Sequence, residues 1–198
     1  MIEFNNQSKQ TPYLVFKDLY DECLKLNQKN VEAICIASYS EDKKEVNARF
    51  VNLKFVNNKE FIFFSNYQSP KSKDFNSHNQ ITGLIYWNSI NTQIRMKANI
   101  KKTSMDFNNI YFSKRDHKKN ALAISSNQSQ VIDSYEAVKK KYHDSLKNNN
   151  LRKCPDYWGG YSFTPYYFEF WVGHQSRLNK REVYQFENGE WIRTFLQP

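Results

Sequence analysis

Apolar positions change period along this chain. Between Thr11 and about Asn27, Phe16, Leu19, Cys23 and Leu26 recur at steps of three and four, the spacing that lines one face of a helix. Thr11 is the expected N-cap, with Pro12 at the first helical position, where its missing N–H costs nothing. From Val31 onward the texture turns β-branched and aromatic. VEAICIASY, VNARFVNLKF and KEFIFFSN follow one another across polar connections at Glu41 to Glu45 and Asn57-Asn58, which predicts successive antiparallel strands.

Ser69-Pro70-Lys71 reads as the start of a helix running to about His78. Two strands follow, QITGLIYW and TQIRMKANIKK, joined by a turn near Asn88 to Asn91. Ser104 is the expected cap of a helix over MDFNNIYFSK. Another helix is expected from Asp133 to Asn148, with Tyr135, Val138 and Tyr142 on its apolar face. The chain then returns to strands: YSFTPYYFEFWV, REVYQFE and EWIRTFL, the last two joined by Asn188-Gly189, a strong hairpin signal. Ahead of them, Gly159 and Gly160 predict a bend, with Trp158 packed beneath it and outside any site. With no internal repeat and no Gly/Ser/Pro-rich linker, residues 1–198 read as one domain: a helical segment over 1–30, then a barrel with inserted helices over 31–198. The expected class is mainly β (α+β), an antiparallel split β-barrel with peripheral helices.

Composition narrows the picture. A chain of 198 residues that is 39% hydrophobic, with 5 Gly and 5 Pro, can bury a core and is not low-complexity. No stretch approaches the roughly 20 apolar residues of a membrane span, and MIEFNNQSKQ has no signal-peptide pattern, so a cytoplasmic protein is expected. Cys23, Cys35 and Cys154 form no CxxC pair, against a disulfide framework or a zinc site. A net charge of +9 raises nucleic acid as a partner. Apart from Lys139, Lys140 and Lys141, however, the basic residues are dispersed, which disfavours nucleic acid and suits small phosphorylated ligands.

The commonest catalytic motifs are missing. There is no GxGxxG or GxxxxGK[ST] for phosphates, and no GxSxG for a serine hydrolase. His78, His117, His143 and His174 show no metal-ligand spacing, so no metal is expected. What remains is a set of cations and amides on or beside strands: Arg49, Lys54, Lys71, Gln93, Arg115, Gln128, Arg177 and Arg181. Such groups hold anions without a glycine loop. Lys71 sits at a helix start, a favourable place for a phosphate. Arg49 and Lys54 differ by an odd number. On a regular strand they face opposite ways, so either a bulge intervenes or they meet different ligands or opposite ends of one site.

Eight motifs in order, ARFVNLK (48–54), FFSNYQSPK (63–71), Gln93, YFSKR (111–115), NQS (127–129), YWGGY (157–161), EFW (169–171) and RLNKR (177–181), resemble the pyridoxamine 5'-phosphate oxidase family. The resemblance implies an FMN-binding split barrel that works as a homodimer with FMN at the subunit interface. It assigns the cofactor to Arg49, Phe50, Val51, Asn52, Lys54, Phe64, Ser65, Lys71, Gln93, Gln128, Ser129, Trp171 and Arg181. It assigns the phosphate of a B6 vitamer to Lys54, Tyr111 and Arg115, and the reacting end to Arg177 and Asn179 as catalytic and substrate-binding residues. A helix would put Tyr111 and Arg115, four apart, on one face. The implied reaction is oxidation of pyridoxamine or pyridoxine 5'-phosphate to pyridoxal 5'-phosphate by dioxygen. A different substrate, as for a flavin reductase or phenazine-type oxidase, and a non-catalytic flavin- or vitamer-binding protein are the alternatives.

Three positions depart from the family pattern. Pro70 stands where an arginine is usual, Asn179 where a histidine is usual, and DHKKN (116–120) where a phosphate-binding serine is usual. An amide cannot shuttle a proton as imidazole does, so Asn179 bears directly on turnover.

Overall fold

The computed structural model describes all 198 residues. Ten strands form one mixed sheet: β1 (Glu3–Asn5), β2 (Ala33–Ser40), β3 (Glu45–Asn52), β4 (Phe55–Asn57), β5 (Glu60–Asn66), β6 (Gln80–Trp87), β7 (Thr92–Lys102), β8 (Trp158–Val172), β9 (Lys180–Glu187) and β10 (Glu190–Leu196). Five helices surround it: α1 (Thr11–Lys25), α2 (Pro70–Ser77), α3 (Met105–Lys114), α4 (His117–Ser125) and α5 (Tyr135–Asn148). The strand order is β1-β4-β5-β8-β7-β6-β2-β3, with β9 also on β8 and β10 on β9, and the sheet does not close. This is the expected split-barrel class, antiparallel everywhere except the parallel β1/β4 pair.

The core follows from the strand alternation. Ile34, Ile36, Ile81, Ile85, Ile94, Met96, Phe168 and Phe170 point inward and join one continuous cluster. Onto it α1 sets Tyr13, Phe16, Tyr20 and Cys23, with Phe16 edge-on to Phe61 at 5.0 Å and 5.6 Å from Trp87. Each such buried ring contributes about 1.5–3 kcal/mol. No helix is long and apolar enough to cross a membrane.

Several local expectations are corrected. Gln10, not Thr11, is the N-cap of α1, because Thr11 already has helical geometry, and Pro12 is therefore the second helical residue rather than the first. The run VNARFVNLKF is two strands, broken at Leu53-Lys54. The break answers the parity question, since Arg49 and Lys54 do not share one regular strand. Arg115 is the C-cap of α3, with extended backbone, rather than a residue on its face. Residues 116–120, expected to form a phosphate loop, are instead the N-cap Asp116 and the first residues of α4, and Asp116 accepts from the Lys119 N–H at 3.1 Å. Gly159 and Gly160 lie inside β8 rather than at a bend. A Cβ on Gly159 would sit 2.2 Å from the Tyr67 hydroxyl and 2.4 Å from Asn108 Nδ2, so close packing against α3 is what requires glycine.

Candidate functional site

One set of candidate residues gathers around the end of β5. Arg49 donates from Nη1 to the Ile36 carbonyl at 3.2 Å and the Ser38 hydroxyl at 2.7 Å, and Ser38 donates to Asp74 at 2.8 Å. Lys71, in the first turn of α2, is buried, and its Nζ donates to the Ser69 hydroxyl at 3.0 Å. Burial first, and then the neighbouring Arg49 charge, push the Lys71 ammonium down to about 8. Two cations held together beside a helix start, one of them without a carboxylate partner, suit a phosphate.

The next part of this set is a cavity of about 260 Å³ lined by Phe64, Ser65, Asn66, Arg115, Lys119, Gln128 and Trp158, among others. Phe64 stacks on Tyr111 at 3.9 Å between centroids and on Trp158 at 5.1 Å, giving the cavity an aromatic wall. The Gln128 side-chain oxygen accepts from the Ser65 hydroxyl at 3.2 Å and the Asn66 N–H at 3.4 Å, which ties the 126–129 segment to β5. Ser129 follows with φ 68, exposed. Arg115 is fixed from three sides: Nη1 donates to the Lys119 carbonyl at 2.9 Å and Asn120 Oδ1 at 3.0 Å, and its guanidinium lies 5.1 Å from the Trp158 ring. Burial lowers the Lys54 amine, and the Lys119 and Arg115 charges lower it further against the opposing pull of Glu32.

These positions depend on how α3 is anchored. Asn108, fully buried, accepts at Oδ1 from the Gly160 N–H at 2.8 Å and the Thr103 hydroxyl at 2.6 Å, and donates from Nδ2 to the Tyr67 hydroxyl at 3.1 Å. One amide thereby fixes α3, and with it Tyr111, against the start of β8.

A second set lies at the far end of β8. Trp171 is the register partner of Gln93 on β7 and of Arg181 on β9, so the three side chains form one row on one face. Arg181 donates from Nε to Glu169 at 2.9 Å, and Arg95 binds the same carboxylate from the other side. Arg177, at φ 59, and Asn179 lie in the loop that follows β8, where Asn179 Oδ1 accepts from the His174 N–H at 3.0 Å.

The structure therefore brings together Arg49 with Lys71, and Phe64, Ser65, Tyr111, Arg115 and Gln128 around the cavity with Lys54 beside it. Separately it brings together Gln93, Trp171 and Arg181, with the Arg177–Asn179 loop next in the chain. It does not join the two sets within one chain. Phe64 pairs with Gly160, eleven residues before Trp171 on the same strand, about 35 Å of strand at 3.3 Å per residue. On the edge strand β3, Phe50 is 74% exposed, Val51 half-buried and Asn52 exposed.

Four contributors escape the sequence reading. Lys119 and Asn66 line the cavity, and Trp158, assigned to packing alone, forms part of its wall. Glu169 holds Arg181. A lone carboxylate inside the aromatic run YYFEFWV was the available signal for Glu169; Lys119, across a helix break from Arg115, had no periodic signal.

Residues 158–198 match the profile of the pyridoxine 5'-phosphate oxidase C-terminal dimerisation region. The chain is 34% identical over 176 residues, 88% of its own length and 81% of the relative's, to a pyridoxine/pyridoxamine 5'-phosphate oxidase of Hydrogenovibrio crunogenus. It is 31% identical to that of Leptospira biflexa, covering 94% of this chain and 89% of the relative. In fold it is similar to PhzG from Burkholderia lata 383, solved with tetrahydrophenazine-1-carboxylic acid, at a TM-score of 0.90 and 22% identity over 96% of this chain and 93% of that one. A pyridoxamine 5'-phosphate oxidase-related, FMN-binding protein of Nostoc punctiforme superposes with a TM-score of 0.76 at 11% identity, covering 92% of this chain and 97% of that one. With similarity above 30% extending over most of both sequences, this chain belongs to the pyridoxine/pyridoxamine 5'-phosphate oxidase family.

Proposed function

We propose that this chain is an FMN-dependent oxidase that converts pyridoxamine 5'-phosphate or pyridoxine 5'-phosphate to pyridoxal 5'-phosphate, with dioxygen reduced to hydrogen peroxide. The observation that carries the reading is that Phe64, Ser65 and Gln128 lie by the start of β8 whereas Trp171 and Arg181 lie by its other end, a separation that suits a site shared between two copies. Two copies related by a dyad would bring the Lys71 end of one against the Trp171 end of the other, consistent with the matched dimerisation region.

FMN, when bound, would supply the two-electron redox chemistry, with dioxygen as the final acceptor. The chain's own groups bind and orient. Arg49 and Lys71 hold the cofactor phosphate, joined by Ser65, Gln128 and Ser129, while Phe50, Val51, Asn52 and Phe64 line its course along β3 and β5. Gln93, Trp171 and Arg181 of the second copy would flank the cofactor, with the Gln93 amide able to donate and accept hydrogen bonds. The substrate phosphate is held by Lys54, Tyr111 and Arg115. Arg177 and Asn179 close over the reacting end, where Asn179 orients the substrate by hydrogen bonding and transfers no proton.

The donor set fits FMN, because the buried Lys71 has no acidic partner inside the chain and gains one from a phosphate. A second reading, oxidation of an aromatic carboxylate of the kind bound by PhzG, is favoured by Asn179 and by the fold similarity. The test is the visible spectrum of the purified protein during anaerobic addition of pyridoxine 5'-phosphate. Bleaching of a bound flavin supports the oxidase; full flavin loading without bleaching by either vitamer overturns it.

A further inference from the structure

We propose that Glu169 and Arg95 are positioning residues that act through Arg181 on the cofactor, Glu169 by fixing the direction of the Arg181 guanidinium and Arg95 by keeping its positive charge from being cancelled. The inference rests on the reading that Arg181 meets the flavin, but it concerns the aim and charge of that contact, which do not depend on the substrate. Glu169 is 2% exposed, and its two oxygens are divided between two strands. Oε1 accepts from Arg181 Nε at 2.9 Å and lies 2.8 Å from Arg181 Nη2. Oε2 accepts from Arg95 Nε at 3.0 Å, from Arg95 Nη2, and from the Tyr167 hydroxyl at 3.1 Å. Arg181 Nη1 donates to the Gln197 carbonyl at 3.0 Å. Three of the five N–H donors of Arg181 are thus engaged inside the chain, which fixes the guanidinium plane and leaves two donors for a ligand.

A carboxylate that held Arg181 alone would also neutralise it. Here one anion is shared by two cations, so the triad keeps a net charge of +1. Register places that charge. Gln93 and Arg95 are two apart on β7, and Glu169 and Trp171 are two apart on β8, so all four side chains share one face of the sheet. The Arg95–Glu169 row therefore lies about 7 Å along the strands from the row of Gln93, Trp171 and Arg181. A positive charge beside a flavin ring favours its electron-richer state, and in a partly buried site water screens that effect less than in bulk. Glu182 offers a contrast. It is also buried, but it binds Lys180, Arg193 and the Tyr184 hydroxyl, and as the next residue after Arg181 it faces the other side of β9.

The test measures the flavin midpoint potential and the FMN Kd of the FMN-loaded parent, Glu169→Gln, Arg95→Met, the double variant and Glu182→Gln. The net charge of the triad through the first four is +1, +2, 0 and +1. The expected potential follows that order: more positive than the parent in Glu169→Gln, more negative in Arg95→Met, and near the parent in the double variant. FMN Kd is expected to rise about tenfold in Glu169→Gln and in the double variant, where Arg181 loses its clamp, and to stay within about twofold in Glu182→Gln. A potential in Arg95→Met that equals or exceeds the parent's overturns the proposal, as does an FMN Kd that changes equally in Glu169→Gln and Glu182→Gln. Should Glu169→Gln fail to fold, the potential of Arg95→Met decides alone. A parent that retains no flavin overturns the cofactor reading and this proposal together, whereas flavin retained without vitamer turnover defeats the oxidase reading alone.

Discussion

The Lys71 ammonium lies 3.0 Å from the Ser69 hydroxyl and has no carboxylate beside it, although Lys71 is only 7% exposed. A buried cation solvated by one hydroxyl is a cost to the free protein that an anionic ligand removes. With its value held near 8 against an ordinary 10.5, the folded state binds this proton less well than the unfolded state. The penalty is absent above the unfolded value, grows as pH falls from about 10.5 to 8, and is complete below 8, where it amounts to about 3 kcal/mol. Lys71→Met is therefore expected to make the flavin-free protein more stable at pH 7, by about 1–3 kcal/mol, while weakening FMN at least about tenfold. Thermal melts at pH 7 and pH 10 check the first half: the parent gains relative to the variant as pH rises. Flavin fluorescence titration checks the second.

Glu169 obeys the opposite sign. Burial alone would raise its carboxyl, but hydrogen bonds from Arg95, Arg181 and Tyr167 bring it below the ordinary carboxylate value. Its contribution to stability is complete above about pH 4.5 and disappears as pH falls through the lowered folded value. Glu169→Gln should cost about 1–3 kcal/mol at pH 7, discounted for the partial exposure of both arginines. The difference from the parent should shrink on acidification, which denaturant melts at pH 7 and pH 3.5 will report.

The anchoring of α3 gives a third expectation. Asn108→Ala leaves the Gly160 N–H and the Tyr67 hydroxyl short of a partner, at about 1–3 kcal/mol. Gly159→Ala drives a methyl into the same space and should cost a similar amount. Because α3 carries Tyr111 and leads to Arg115, both variants should also raise KM for the vitamer phosphate. Denaturant melts together with steady-state kinetics separate the two effects.

Much of this was legible in the chain. Helical spacing marked α1 and α5, the start signals Ser69-Pro70-Lys71 and Ser104 marked α2 and α3, and Asn188-Gly189 marked the β9/β10 turn, where both residues have positive φ. What local pattern could not supply were features fixed by tertiary contact. The three-residue β1 exists only because β4 offers it a parallel partner. The break at Leu53-Lys54 sends one run of alternation to two different neighbours, and α4 is a nine-residue helix, too short for a clear period, whose local signal is the Asp116 cap. For the site, the cations were visible as residue types. The separation of Phe64 and Ser65 from Trp171 and Arg181 along β8 was not, because register is a property of pairing rather than of sequence order.

The Arg177–Asn179 loop gives a fourth expectation. Asn179 spends its side-chain oxygen on the His174 N–H, a bond that an imidazole nitrogen at the same position can also accept. Asn179→His is expected to raise kcat for pyridoxine 5'-phosphate about tenfold or more, as positioned acid–base groups do. Equal turnover by the two proteins would mean that proton handling in this loop does not limit the reaction.

The most direct measurement of the two-copy site is complementation between two damaged chains. Lys71→Met and Arg181→Ala chains, each expected to purify without flavin, are co-expressed under different affinity tags, and the mixed dimer is isolated. If the site is shared across copies, one of the two sites in that dimer is intact, and about one FMN per dimer should be retained by absorbance. A mixed dimer that holds no flavin would mean that each chain builds its site alone.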